Sequence, residues 1–97
     1  MLHIVNKSPN ERASLASALA HSREGHAVLL IEDAVVAATR GGNGVLAAAP
    51  AGVSLYALGP DLQARGLAAR VAEGVRVVDY AGFVELVAAH PRVQSWL

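Results

Sequence analysis

The stretch HAVLLIEDAVVAAT, residues 26–39, decides the fold that this sequence predicts. HAVLLI (26–31) is a continuous apolar run of strand length, typical of a strand covered on both faces of a parallel sheet. Glu32 and Asp33 separate this run from a second apolar stretch, and we predict that DAVVAAT (33–39) is a short helix capped by Asp33. A buried strand that leads directly into an apolar helix indicates an α/β fold.

The rest of the chain repeats this order of strand and helix. Strands are predicted at LHIV (2–5), VSLYAL (53–58), VRVV (75–78) and VQSWL (93–97). Helices are predicted at 6–25, 45–50, 59–66 and 79–90; Ser8 would cap the first of these, Pro9 would begin it, and Asp79 would cap the last. RGGNG (40–44) is predicted to be a flexible loop. We therefore predict one α/β domain over residues 1–97, doubly wound, with a mainly parallel sheet and helices on both faces.

Composition excludes several classes of function. The 97 residues are 54% hydrophobic and carry a formal net charge of zero. Neutralising nucleic-acid phosphates requires a basic excess, so we expect no direct binding of nucleic acid. We recognise no signal peptide and no apolar run of membrane-spanning length, so we expect a cytoplasmic protein that does not enter the membrane. The absence of cysteine excludes disulfides and thiolate nucleophiles. The four histidines form no HxxxH or HxH pair, and we predict neither a metal nor a cofactor.

Polar side chains follow the predicted strands at their carboxyl ends, where α/β sheets usually bind ligands. One interpretation is a polar crevice at this edge of the sheet. The favoured alternative is that the short polar side chains cap or begin helices, which leaves Glu32 as the least explained member. The candidate crevice residues are Lys7, Ser8, Glu32, Asp33, Asp61 and Asp79.

The segment 34–52 contains only Thr39, Arg40 and Asn43 as polar residues. A helix made of AVVAA has no hydrophilic face, and a domain this small is not expected to bury every side of it. A subunit interface is therefore predicted, with packing beneath the glycine-rich loop as the alternative. Trp96 joins the set because a large aromatic residue near a chain end often anchors a contact, although packing on its own core explains it equally well. The candidate interface residues are Ala34, Val35, Val36, Ala37, Ala38, Val45, Leu46 and Trp96.

Five stretches, taken in order, resemble the DsrH/TusB family. They are MLHIVNKSP (1–9), LLIEDAVVAA (29–38), LYALGPDLQARGL (55–67), VVDYAGFVEL (77–86) and VQSWL (93–97). The resemblance spans nearly the whole chain, and NKSPNER, GPDLQARG and VVDYAGFV are closer to the DsrH side.

This resemblance implies a small α/β subunit of a sulfur-relay complex built from two copies each of three related chains. The implied partners are a DsrE/TusD-like chain, which bears the main sulfur-carrying cysteine, a DsrF/TusC-like chain, and a transient DsrC/TusE-like sulfur carrier. The pathway stays open between 2-thiolation of the tRNA wobble uridine and cytoplasmic sulfur oxidation. Some relatives carry a cysteine in the first helix where this sequence has Ala18, so the implied role is non-catalytic.

Two other hypotheses fit the residues alone. The chain is either a free-standing small-ligand-binding α/β domain with its crevice near Lys7, Asp33 and Asp79, or an enzyme that uses Glu32 in acid/base chemistry. The second requires a strongly raised carboxylate pKa. The lack of cysteine, the apolar segment and the ordered resemblance favour the sulfur-relay subunit.

Overall fold

The computed structural model describes residues 1–40 and 44–96. The middle of the predicted glycine-rich loop, at 41–43, and the last residue of the chain lie outside the described residues. The strands are β1 (Leu2–Val5), β2 (Ala27–Leu30), β3 (Ser54–Leu58), β4 (Val75–Val78) and β5 (Val93–Trp96). The α-helices are α1 (Ser14–His21), α2 (Gly59–Ala64) and α3 (Tyr80–Ala89). Three 3₁₀ helices span Glu32–Ala38, Val45–Ala48 and Ala68–Arg70.

The described strands form one five-stranded sheet in the order β4-β3-β2-β1-β5, in which every neighbouring pair is parallel. The chain crosses the sheet stepwise from β1 to β4 and then returns from one edge to the other to form β5. Because such crossovers are right-handed, a return in the opposite direction places its helix on the opposite face. The predicted α/β fold, with a parallel sheet and helices on both faces, is confirmed.

The two faces of the sheet are covered unequally. On the first face, α1, α2 and the first two 3₁₀ helices pack over Val28 and Leu30 of β2. On the second face, Ala27 and Leu29 of the same strand meet Phe83 and Leu86, both from α3. Within residues 1–40 and 44–96, α3 is the only helix on this second face. A helix about 10 Å across cannot cover five strands spaced about 4.8 Å apart, so part of the second face stays uncovered.

The first helix is shorter than predicted. It begins at Ser14 rather than near Pro9 and ends at His21. The backbone N–H groups of Glu11 and Arg12 both donate to the carbonyl oxygen of Ser8, at 3.0 and 3.1 Å. The Ser8 hydroxyl oxygen accepts from the backbone N–H of Asn10 at 3.2 Å. Ser8 therefore organises a turn ahead of α1, because serine hydrogen bonds to its own backbone compete with helix formation, and its predicted role as a helix cap is wrong.

The apolar segment after β2 is part of the chain's own core. The helix predicted at 33–39 is a 3₁₀ helix, and four of its side chains are at most 6% exposed. These four are Ala34, Val35, Ala37 and Ala38. The interface prediction is corrected for them, because three successive crossovers on the first face enclose this helix between α2 and the sheet. No helix among the described residues has both the length and the apolar character needed to span a membrane.

Candidate functional site

The predicted crevice residues lie in separate places. An open depression of about 540 Å³ lies where β3 and β4 end, and Asp79 lines it together with Gly59 and Gly82. This is the topological switch point of the sheet, because α2 and α3 leave it toward opposite faces. A second depression of about 400 Å³ is lined by Ser8, Asp33 and further side chains from the first face. The structure therefore divides the predicted crevice, and the described lining of either depression does not include Lys7, Glu32 or Asp61.

Glu32 and Asp33, the acidic pair that follows β2, each contact a residue far away in the sequence. The backbone N–H of Glu32 donates to the carboxylate of Asp61 at 2.6 Å. Glu32 has φ +50°, a left-handed conformation that non-glycine residues adopt rarely and at some energetic cost. Asp61 was expected either to line the crevice or to begin its own helix, α2. Its carboxylate instead holds the strained residue at which β2 turns into the 3₁₀ helix.

Asp33 forms an ion pair instead of a helix cap. Its Oδ1 atom accepts from Nη2 of Arg65 at 2.9 Å and from Nε at 3.3 Å. The 3₁₀ helix that contains Asp33 begins after Ile31 and has no side-chain cap, so the predicted cap is wrong. The side chain of Arg65 is 33% exposed and that of Asp33 is 54% exposed. This exposure limits the contribution of the ion pair to stability to about 0–1 kcal/mol. Nothing in the sequence singled out Arg65, because its partner is 32 residues away.

Asp79 caps α3 as predicted. Its Oδ1 accepts from the backbone N–H of Gly82 at 2.8 Å, which is the geometry of a helix N-cap. Gly82 is required here, because a Cβ atom at this position would lie 2.9 Å from Cβ of Val78. The one predicted crevice residue at the switch point is therefore already engaged in a structural hydrogen bond.

Removing the helix cap of Asp79 and removing the ion pair of Asp33 should cost different amounts of stability. Asp79→Ala should lower the free energy of unfolding by about 0.5–2 kcal/mol, whereas Asp79→Asn retains an acceptor oxygen and should lose little. Asp33→Ala removes an exposed ion pair and should lose about 1 kcal/mol or less. Urea unfolding of the three variants measures the differences. A loss for Asp33→Ala larger than that for Asp79→Ala would contradict these assignments.

Sequence reasoning missed a cluster of histidines around Trp96. Nε1 of Trp96 donates to Nδ1 of His3 at 3.0 Å, and Nε2 of His3 lies 3.1 Å from Nδ1 of His26. The ring of His21 lies 5.3 Å from that of Trp96. Trp96 also packs on the core of the first face, so it is anchored within its own chain. The described residues contain no group of three or more side chains that could hold a metal.

Burial makes the paired imidazoles poor bases. His3 is 1% exposed, and its burial, followed by the charge of His26, lowers its pKa below the ordinary value of 6.5. The pKa of His26 is lowered by loss of solvation, followed by the charge of the amino terminus. Both rings therefore favour the neutral form.

Ala18 lies in the core of the first face with no exposed surface. Its carbonyl oxygen accepts from the hydroxyl of buried Ser22 at 2.8 Å. The position at which some relatives carry a cysteine is therefore enclosed in this chain.

Exposed apolar surface is concentrated on α3. Tyr80, Val84 and Val87 are 61%, 66% and 39% exposed. Their spacing of four and three residues places them in one row along the helix, which we call the α3 stripe. Val93 of β5 pairs in register with Leu2, so it points to the same second face, and it is 43% exposed. The sequence predicted the apolar surplus elsewhere, in the segment 34–52. In that segment Val36, Val45 and Leu46 are half-buried.

The fold and these surfaces define a small α/β domain whose described strands are all parallel, with apolar side chains left exposed on α3, at Val93 of β5 and at Val77 of β4. The crystal structure of the ychN protein from E. coli has this fold: its TM-score is 0.78, with 20% identity and 97% of each chain covered. The solution structure of Tm0979 from Thermotoga maritima gives a TM-score of 0.63, with 18% identity, 95% of this chain covered and 97% of that one.

The sequence comparisons identify the family. The profile of the family described as DsrH like protein matches residues 7–93. Protein TusB of Pectobacterium parmentieri is 38% identical over 96 residues, which are 99% of this chain and 100% of the relative. Protein TusB of Escherichia coli K12 is 35% identical over the same coverage. The chain belongs to the DsrH family, and the family predicted from the sequence is confirmed.

Proposed function

We propose that the chain is a non-catalytic subunit of a multi-subunit sulfur-relay complex that acts in the cytoplasm in 2-thiolation of the tRNA wobble uridine. Membership of the DsrH family supports the sulfur-relay role. Relatives named TusB that match over their full length support the tRNA pathway over sulfur oxidation. The absence of cysteine supports a role in assembly rather than in carrying sulfur.

The observation that carries this proposal is the α3 stripe. Exposed valines in a row on one helix are unusual for a small domain that works alone, and apolar patches of this kind mark protein contacts. The chain has a formal net charge of zero, so apolar packing rather than charge would select the partner. The occupant we propose is one of the related small α/β chains, DsrE/TusD-like or DsrF/TusC-like. The DsrC/TusE-like carrier would then dock on the assembled complex.

The free-standing ligand-binding alternative has less support. The depression at the switch point is open to solvent, and the carboxylate that lines it already caps α3. Acid/base catalysis by Glu32 also lacks support, because its side chain is exposed and lines neither depression.

Sulfur labelling tests the proposed division of labour. Persulfide transfer requires a thiol, and the only sulfur atom of this chain is the thioether of Met1. After incubation with a cysteine desulfurase and sulfur-labelled cysteine, the isolated chain should show no covalent mass increment. In the reconstituted complex the label should appear on the DsrE/TusD-like chain, and omission of the present chain should abolish transfer to the carrier. A stable persulfide on this chain, or full transfer without it, would overturn the proposal.

A further inference from the structure

Three segments far apart in the sequence are joined by side-chain hydrogen bonds through two histidines. Trp96 belongs to β5, His3 to β1, and His26 to the turn that leads into β2. The bonds run from Nε1 of Trp96 to Nδ1 of His3, and from Nε2 of His3 to Nδ1 of His26. Nδ1 of His26 also accepts from the backbone N–H of Arg23 at 3.2 Å. We call this set the Trp96–His3–His26 chain.

The donors assign one proton position to each ring. An indole N–H can only donate, so Nδ1 of His3 must be the acceptor and the proton of His3 lies on Nε2. That N–H points at Nδ1 of His26, which therefore carries no proton either. The hydrogen bonds are thus all satisfied when both imidazoles are neutral.

Adding a proton breaks this arrangement. The unprotonated nitrogen of each ring is Nδ1, which accepts a hydrogen bond. A proton added to either Nδ1 would make two N–H donors face each other. The charged and titratable groups that act on the pair are the amino group of Met1, Arg23, and the imidazoles of His21 and His90, and all of them oppose added positive charge. The carboxylate on the same turn, Glu24, packs its side chain over Gly52.

We propose that the Trp96–His3–His26 chain is a proton-sensitive latch, which fastens the edge strand β5 and the turn before β2 to β1 while both imidazoles are neutral. β5 is the element that would loosen first. It lies at the edge of the sheet, pairs with β1 alone among the described strands, and is mostly exposed.

The sign of the pH dependence follows from the pKa values of the two histidines. Both are lowered by folding, so the unfolded chain binds protons more readily than the folded chain. The stabilisation is complete above the ordinary histidine pKa of 6.5 and is lost as the pH falls through the lowered values. The latch is therefore closed at neutral pH and opens below pH 6.5.

The indole N–H resonance of Trp96 tests this proposal directly, because the sequence contains one tryptophan. In a nuclear magnetic resonance titration from about pH 8 to about pH 5, the resonance should move with a midpoint below 6.5. Exchange of the β5 amides, corrected for the intrinsic effect of pH, should accelerate at least tenfold across the same transition. A resonance and an exchange rate that stay constant would overturn the proposal.

Variants separate the latch from other histidine effects. His26→Gln retains an acceptor for Arg23 and His3 but removes one titrating group, so the transition should become less steep. His21→Gln and His90→Gln should leave the transition in place, although the ring of His21 lies beside Trp96. His3→Gln should abolish it, and if that variant does not fold, His26→Gln decides alone. An unchanged titration in His26→Gln, or its loss in His21→Gln, would assign the effect to another group and overturn the latch.

Discussion

Replacement of Val35 by aspartate should unfold the chain, whereas the same replacement at the next residue, Val36, should leave it folded. Val35 has no exposed surface and lies in the core of the first face, so a carboxylate there would be buried without a partner. The cost is several kcal/mol, a large part of the total stability of about 5–15 kcal/mol that a domain has. Val36 is half-exposed beside the second depression, where water can solvate the charge. Far-UV circular dichroism and urea unfolding measure the contrast.

The Val35→Asp and Val36→Asp variants also test whether the apolar segment after β2 belongs to the chain's own core or to a subunit interface. A folded Val35→Asp protein that fails only to bind its partners would mean that this side chain faces another subunit, as the sequence alone suggested. The folded Val36→Asp protein serves as the matched control for stability. Its co-purification with the related chains tests whether the half-buried part of the segment contributes to the interface.

The strands were predictable because their signal is local. A short apolar run bounded by glycine, proline or charged residues has few structural alternatives. β4 was predicted at 75–78, where it is found, and the other described strand boundaries lie within a residue of prediction. The cap of α3 by Asp79 was equally local, because its acceptor and its donor lie three residues apart.

The predictions that were wrong depended on alternatives that the sequence pattern does not distinguish. Ser8 and Glu11 have the spacing of a capping box, but the same backbone donors can close a turn around Ser8, and this is what they do. Asp33 has the position of a helix cap, yet its partner, Arg65, is brought to it by the packing of α2 against the 3₁₀ helix. Spacing along the chain carries no information about such a contact.

The location of the apolar surplus depended on topology. Composition shows that the chain has more apolar residues than a small core needs, but not which face of the sheet will lack cover. With the order β4-β3-β2-β1-β5, the connections between β1 and β4 are stacked over one face, and the return to β5 places α3 alone over the other. The first part of the predicted segment, residues 34–38, is thereby largely enclosed, and the exposed large apolar side chains are those of α3 together with Val77 of β4 and Val93 of β5.

Val84→Asp should therefore abolish assembly with the related subunits while the isolated chain stays folded. Val84 is 66% exposed, so in the isolated chain the new carboxylate remains in water and stability should change by no more than about 0.5 kcal/mol. In a contact through the α3 stripe the same carboxylate would be desolvated without a partner. Each 1.4 kcal/mol of that cost weakens association about tenfold, and a loss of tenfold or more is expected. Co-purification and analytical ultracentrifugation with the DsrE/TusD-like and DsrF/TusC-like chains measure it.

The matched control for Val84→Asp is Ala89→Asp. Ala89 is also exposed, but at about 100° per residue it lies about 140° around α3 from Val84 and outside the α3 stripe. The same charge on the same helix should leave association unchanged there. Equal loss in both variants would indicate a general effect of charge on α3, and unchanged assembly of Val84→Asp would remove the α3 stripe from the interface. The sulfur-labelling experiment would still test the relay role in that case, because the lack of a thiol does not depend on which surface the partners occupy.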